Sequence, residues 1–178
     1  NCDQISYLTS DYPDIENNYK QIFSPETASQ MTSILEGVIK RGTAKKLKDL
    51  NLNIAGKTGT TNKNTDTWFI GFTSNLLVGV YVGTDNPKPL GKYETGAKTA
   101  LPIFKNFIKS TVNKSDARPF KAAKGTIMMV VDPNTGQKAK FTSKNTIIEV
   151  FKKNNLMEGK FLNSNSDRFK NNNILRFY

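Results

Sequence analysis

The sequence predicts an α+β fold in which an antiparallel sheet is flanked by helices. Two neighbouring runs, TWFIGF and LLVGVYV, are rich in aromatic and β-branched residues and are bounded by Asn, Asp, Ser and Gly, which is typical of strands. A helix-start pattern precedes them, and a second stretch with helical spacing follows them. We expect strands at about 53–61, 67–74 and 76–83, and helices at about 25–41 and 97–110.

The first predicted helix has recognisable signals at both ends. Ser24 can cap free N–H groups, Pro25 suits the first helical position, and Glu26 favours the positive end of the helix dipole. Gly42, which follows two basic residues, is a typical stop. Apolar residues recur between these ends at helical spacing, at Ala28, Met31, Leu35, Val38 and Ile39. We interpret this helix as a packing element of the core.

Residues 45–52 are basic, and we expect them to form an exposed linker with a short helical turn. The first strand then carries Lys57, Thr58, Gly59 and Thr60. A fixed positive charge, two hydroxyl donors and a residue without a side chain would together suit a substrate carboxylate or an oxyanion. A Gly-Lys-Thr triplet also occurs by chance in many proteins. A phosphate-binding P-loop is excluded, because Asn51 stands where that motif needs glycine and because strands, not a helix, follow.

The second predicted helix, at about 97–110, should hold Pro102 in its first turn, where the missing N–H costs least. The composition changes after residue 110, so we expect a division into 1–110 and a C-terminal extension, 111–178. The extension contains a strand-like run, a turn at 132–136 and a potential partner strand, Lys138–Phe141, which together predict a short β-hairpin at 126–141. Its end, 161–178, has the composition of a disordered segment.

The composition excludes several classes of site. The 178 residues contain no histidine, which rules out a Ser-His-Asp or Cys-His catalytic device and a histidine-ligated metal site. With one cysteine, Cys2, no intrachain disulfide can form. We expect no metal and no cofactor. The net charge of +11 raises a basic nucleic-acid-binding module as an alternative, but no binding motif is present and aromatic residues do not interleave with the basic ones, so no nucleic-acid partner is expected.

The neighbours of the lysine form an ordered series that resembles the transpeptidase domain of class A penicillin-binding proteins, the 1A type in particular. Lys-Thr-Gly is itself a motif of that superfamily. The resemblance covers about Phe23 to Ile108, with a weaker similarity to about Gly136. It is carried by Lys57-Thr58-Gly59 with Thr60-Thr61-Asn62, by Asp66-x-Trp68-Phe69-x-Gly71-Phe72-Thr73, by Val78-Gly79-Val80-x-Val82-Gly83-x-Asp85-Asn86-Pro87, and by Glu94-Thr95-Gly96 with Ala100-x-Pro102-Ile103-Phe104.

This resemblance implies a partial serine β-lactamase and penicillin-binding transpeptidase fold. It implies acyl transfer on the D-Ala-D-Ala stem peptides of peptidoglycan, and acylation by β-lactams. The family uses a Ser-x-x-Lys nucleophile and base, a Ser-x-Asn and a Lys-Thr-Gly. The chain contains no Ser-x-x-Lys, and its single Ser-x-Asn, Ser143-Lys144-Asn145, follows the Lys-Thr-Gly instead of preceding it, so we treat that match as chance. Residues 1–110 are therefore expected to be the C-terminal half of the domain, inactive alone.

By the same resemblance, Lys57 would provide positive potential and Thr58 and Thr60 would bind the substrate carboxylate. The N–H of Thr60 would be one oxyanion-hole donor, and Gly59 would let the substrate approach. Asp66 could orient the turn, although solvation alone explains it. The intact parent is expected to have a glycosyltransferase domain upstream and an N-terminal membrane anchor, and to act at the periplasmic, extracytoplasmic face of the bacterial inner membrane. The alternative is a non-catalytic remnant.

Overall fold

The computed structural model describes residues 20–140 and 142–154. It contains two α-helices and five strands, and the predicted α+β class is confirmed. Short 3-10 helices at Lys45–Leu50 and Asn62–Asn64 lie in the connections on either side of the first strand. The predicted disordered end, 161–178, lies outside the described residues. The elements in chain order are α1 (Pro25–Lys40), β1 (Ala55–Thr60), β2 (Thr67–Phe72), β3 (Leu77–Val82), α2 (Ala100–Thr111), β4 (Thr126–Val131) and β5 (Ile147–Lys152).

The first three strands form an antiparallel sheet in the order β1-β2-β3, as their sequence order predicted. Strand β2 is central and alternates between buried and exposed side chains: Thr67 and Phe69 are buried, whereas Trp68 and Ile70 are exposed. Since side chains alternate across a strand, one face of the sheet packs inward and the other is open. Among residues 20–140 and 142–154, strand β1 pairs only with β2, so within this part of the chain its other edge carries no strand.

The core lies between the inner face of this sheet, helix α2 and the C-terminal part of α1. Phe69 of β2 and Phe104 of α2 are fully buried, and their rings meet edge to face with centroids 4.7 Å apart. Such aromatic pairs contribute beyond the apolar area that they bury. Other buried members of this core are Val38, Ile39, Ala44, Leu47, Ile54, Ala100, Leu101 and Ile108.

Helix α1 begins and ends where the sequence predicted. The Ser24 hydroxyl accepts a hydrogen bond from the Thr27 N–H at 3.3 Å, which satisfies one of the free donors of the first turn. At the other end the N–H of Gly42 donates to the Val38 carbonyl at 3.1 Å, so the residue after the last turn closes the helix.

The expected exposed linker at 45–52 is wrong in one respect, because Leu47 is only 1% exposed and belongs to the core. The 3-10 helix Lys45–Leu50 turns this leucine inward while Lys45, Lys46 and Lys48 face solvent. Its neighbours Lys45, Lys46, Lys48 and Asp49 are all charged, so composition alone does not reveal that this segment packs against the core.

The predicted hairpin at 126–141 stays a prediction, and the structure gives its first strand a more extensive partner elsewhere. Strand β4 pairs with β5, while the chain after the 132–136 turn makes one isolated bridge, Val131 with Lys138. The physical reason lies in the side chains. Residues 138–140 read Lys-Ala-Lys and offer little apolar surface, whereas Ile147–Lys152 is β-branched and aromatic and covers a helix. Residue 141 lies outside the described residues.

Strand β5 packs against α1, and polar contacts fix its register. The Ser33 hydroxyl donates to Glu149 Oε2 at 2.8 Å, and the Arg41 guanidinium forms an ion pair with the same carboxylate. Gln30 Nε2 donates to the Val150 carbonyl at 3.3 Å. The division into 1–110 and 111–178 stays a prediction, but the second part contacts the first helix of the chain. In residues 20–140 and 142–154, no helix has the length and apolarity needed to cross a membrane.

Candidate functional site

The predicted site residues lie together on β1, the edge strand of the first sheet. Lys57 and Thr60 are exposed, and Thr58 and Gly59 are half-buried. Cross-strand partners share a face of the sheet, so the register separates these side chains into two groups. Lys57 lies opposite the exposed Ile70, whereas Thr58 lies opposite the buried Phe69. The lysine and the two threonines therefore leave the strand on opposite faces.

The free edge of β1 is where the two groups can act on one ligand. Lys57 Nζ donates to the Thr58 carbonyl at 2.8 Å. In an antiparallel pair, every second residue bonds to the partner strand and the intervening residues point their backbone groups away from it. The N–H of Thr61 donates to the Asp66 carbonyl at 3.0 Å, which continues the register beyond the end of β1. The alternation consequently directs the N–H groups of Thr58 and Thr60 toward the free edge.

Both threonine hydroxyls already have protein partners, and the two partners differ in kind. Thr58 Oγ1 lies 2.9 Å from Thr43 Oγ1, and either oxygen can be the donor. Thr60 Oγ1 accepts a hydrogen bond from the Gly96 N–H at 3.1 Å. A hydroxyl has one proton and two acceptor lone pairs, so each threonine can still bind a further group. No local sequence signal indicates the contacts of Thr43 and Gly96, because both residues lie far from the motif along the chain.

Packing within the sheet, and not only room for a ligand, favours glycine at position 59. A Cβ added to it would lie 3.1 Å from the Cβ of Trp68 on the neighbouring strand. The lack of a side chain therefore lets Trp68 pack across the strand. The indole lies 4.8 Å, between ring centroids, from the ring of Tyr81 on β3.

A polar cluster closes the turn just after the site. The Asp66 carboxylate accepts hydrogen bonds from the Tyr81 hydroxyl at 2.7 Å and from the Thr65 hydroxyl at 2.8 Å. These bonds stabilise the ionised form, so the pKa of Asp66 is lowered, chiefly by Tyr81. The same contact raises the pKa of the Tyr81 hydroxyl, since ionising it would place two negative charges side by side. Asp66 thus orients this turn, which is more than solvation of an exposed carboxylate.

The other chemical candidates are not part of this edge. Ser143, Lys144 and Asn145 lie in the connection between β4 and β5, outside the strands, and Asn145 has a left-handed backbone with φ of 59°. Within 20–140 and 142–154, no cluster of acidic or cysteine side chains could hold a metal ion. The edge can bind a carboxylate through a cation and two hydroxyls, and it can offer a backbone N–H to an oxyanion.

The chain is similar to known proteins over most of its length. The family model described as penicillin binding protein transpeptidase domain matches residues 4–109. Penicillin-binding protein 1A of Rickettsia conorii is 43% identical over 150 residues, which are 83% of this chain and 18% of the relative. The protein of the same name from Pseudomonas aeruginosa is 37% identical over 134 residues, 75% of this chain and 16% of the relative. The chain thus spans less than a fifth of the length of these curated relatives.

A solved structure gives the same result at the level of the fold. The 2.6 Å crystal structure of penicillin-binding protein 1A from Haemophilus influenzae aligns with a TM-score of 0.64 and 29% sequence identity. The alignment covers 74% of this chain and 21% of that one. The arrangement of helices and antiparallel strands described above is therefore shared with a much longer protein.

Proposed function

Because the chain belongs to the penicillin-binding protein transpeptidase family, we propose that it forms one wall of the active-site cleft of a peptidoglycan D,D-transpeptidase. The observation that carries this proposal is the position of Lys57, Thr58 and Thr60 on a strand whose outer edge pairs with no other strand of the described part of the chain. An extended stem peptide ending in D-Ala-D-Ala, or a β-lactam that mimics it, can lie along such an edge. The reaction is acyl transfer in cell-wall cross-linking.

Each residue of the edge has a role in this proposal. Lys57 supplies the positive potential that attracts the substrate carboxylate and supports proton transfer. The hydroxyls of Thr58 and Thr60 bind that carboxylate, and Gly59 leaves room for the substrate backbone. The outward N–H of Thr60 supplies one of the two donors to the oxyanion. Loss of one such donor typically lowers kcat by a factor of about 100 to 1,000.

The nucleophile belongs to a part of the polypeptide that this chain does not include. The sequence has no Ser-x-x-Lys, and without a nucleophile no covalent acyl-enzyme can form. We therefore propose that the 178 residues alone are inactive and that the intact parent binds the stem peptide and β-lactams. The parent would carry a glycosyltransferase domain and an N-terminal anchor, with this site at the extracytoplasmic face of the inner membrane.

Labelling of native membranes with a reporter penicillin, followed by peptide mapping of the labelled bands, tests the proposal. We expect peptides from the Lys57 region in a labelled band several times heavier than 19.9 kDa. Excess unlabelled penicillin should abolish the label and serves as the specificity control. If these peptides occur only in an unlabelled species near 20 kDa, the chain is a non-catalytic remnant and the proposed function is wrong.

A further inference from the structure

Gly96 lies directly against the Lys-Thr-Gly strand. It is buried, and its N–H donates to Thr60 Oγ1 at 3.1 Å. A Cβ added to Gly96 would lie 2.6 Å from the Gly59 carbonyl oxygen and would also press on the Trp68 carbonyl oxygen. Both carbonyl oxygens are backbone atoms, and they belong to the paired strands β1 and β2. A side chain at position 96 could therefore be accommodated only if β1, β2 or the loop moved.

The loop that carries Gly96 is held at several points. The Gly96 carbonyl accepts from the Leu101 N–H at 2.8 Å, which ties it to the start of α2. The Thr99 hydroxyl donates to the Thr95 carbonyl at 3.0 Å and lies 2.6 Å from Thr67 Oγ1 of β2. The N–H of Gly96 is thus aimed at Thr60 by the sheet and by the helix together.

This contact makes the two site threonines unequal. Thr60 Oγ1 receives its hydrogen bond from an N–H, which can only donate, so the hydroxyl proton is free to be given to another group. Thr58 Oγ1 faces another hydroxyl, that of Thr43, and can donate its proton to that oxygen. A carboxylate accepts hydrogen bonds and donates none. Of the two hydroxyls, that of Thr60 is therefore held as the donor to an anionic ligand.

We propose that Gly96 is a positioning residue that sets the preference of the site for ligands bearing a carboxylate. Its N–H occupies an acceptor lone pair of Thr60 Oγ1, and its missing side chain lets the loop reach the strand. This inference rests on the proposed transpeptidase function. It assigns a specificity role to the loop that carries Glu94, Thr95 and Gly96.

The test compares two ligands on the intact, membrane-embedded parent protein. Acylation rates are measured with a penicillin that has a free carboxylate and with the methyl ester of the same penicillin. For Gly96→Ala, we expect about a tenfold loss of acylation efficiency with the carboxylate, the effect of one hydrogen bond to a charged group. The ester should lose at least about threefold less than the carboxylate ligand, because a shift of β1 affects both ligands but the ester lacks the charge that strengthens this bond. Thr60→Val should show the same selective loss, and Gly96→Ala should add nothing further in that background.

The outcomes separate the two proposals. If neither ligand acylates the unaltered parent, the proposed function fails. If both acylate it and Gly96→Ala lowers both equally while the protein remains folded, the positioning role is refuted. Should Gly96→Ala fail to fold, Thr99→Val is the second variant, since it loosens the loop without adding a side chain at position 96. A selective loss of about threefold for the carboxylate then supports the role, and an equal or absent change overturns it.

Discussion

The carboxylate of Glu149 is expected to hold the C-terminal strand pair on the first helix, and its removal should be measurable as lost stability. Its side chain is 14% exposed and accepts from the Ser33 hydroxyl at 2.8 Å, while it pairs with the Arg41 guanidinium, whose side chain is 38% exposed. Glu149→Ala leaves both donors without their acceptor. The half-buried hydroxyl of Ser33 is the more sensitive of the two, since water can replace the carboxylate at Arg41.

The magnitude follows from the two contacts. A hydrogen bond to a charged group contributes about 1.5–3 kcal/mol, whereas an ion pair with an exposed partner contributes at most about 1 kcal/mol. We expect Glu149→Ala to lower the free energy of unfolding by about 2–3 kcal/mol and Arg41→Ala by about 1 kcal/mol or less. In a double-mutant cycle of Glu149 with Ser33, the coupling energy should be about 1.5–2 kcal/mol.

Urea unfolding of the 178-residue chain, followed by circular dichroism, measures these values. Glu36→Gln is the matched control, because Glu36 also pairs with a basic residue of the same helix, Lys40, but that lysine side chain is 64% exposed. It should change stability by less than about 0.5 kcal/mol. If Glu149→Ala changes stability no more than this control, the carboxylate does not hold β5 on α1, and the packing argument is refuted.

Two further results are expected. Phe104→Ala should lower the free energy of unfolding by about 3–5 kcal/mol in the same urea assay, because the ring is fully buried against Phe69 and the site cannot collapse around the loss. Tyr81→Phe should raise the pKa of Asp66 toward its ordinary value in a carboxyl NMR titration, because the hydroxyl is the main cause of its lowered pKa. Since that pKa is lowered in the folded state, its stabilising contribution is present above the ordinary carboxyl pKa and is lost as pH falls through the folded value.

Each of these results has its own control. Phe107→Ala changes a phenylalanine of the same helix that is 44% exposed, and it should cost much less than Phe104→Ala. Equal losses would mean that burial of the Phe104 ring contributes no more to stability than the half-exposed ring of Phe107. For the titration, Tyr93→Phe removes a hydroxyl that has no contact with Asp66 and should leave the pKa of that carboxyl unchanged. An unchanged pKa in Tyr81→Phe would contradict the hydrogen bond to Asp66.

Local signals predicted local structure well. The Ser24 cap and the location of β2 depend on neighbouring residues, so the sequence pattern places both. Leu47 was misjudged because a six-residue segment with four charged residues is too short for a helical pattern to reveal its buried face. The pairing of β4 with β5 was missed because it depends on α1, which contacts β5. That helix lies more than 100 residues away in the sequence, so no local pattern reveals the contact.

The candidate site was predicted in the same uneven way. The strand that carries Lys57 could be located, because flanking turns and apolar runs bound it. The hydrogen-bond partners of Thr58 and Thr60 could not be predicted, because Thr43 and Gly96 reach them only through the tertiary fold, from 15 and 36 residues away.

The contacts between α1 and β5 also have a consequence for the order in which the chain acquires its structure. Ser33 meets Glu149 across a sequence separation of 116 residues, and Thr27 meets Lys152 across 125. During synthesis on the ribosome, α1 therefore emerges long before the strand that covers it. Closure of such long loops is slow and follows the pairing of nearby elements. Until β5 arrives, one side of the first helix stays open to chaperones and proteases, and a chain that stops before Ile147 never covers it.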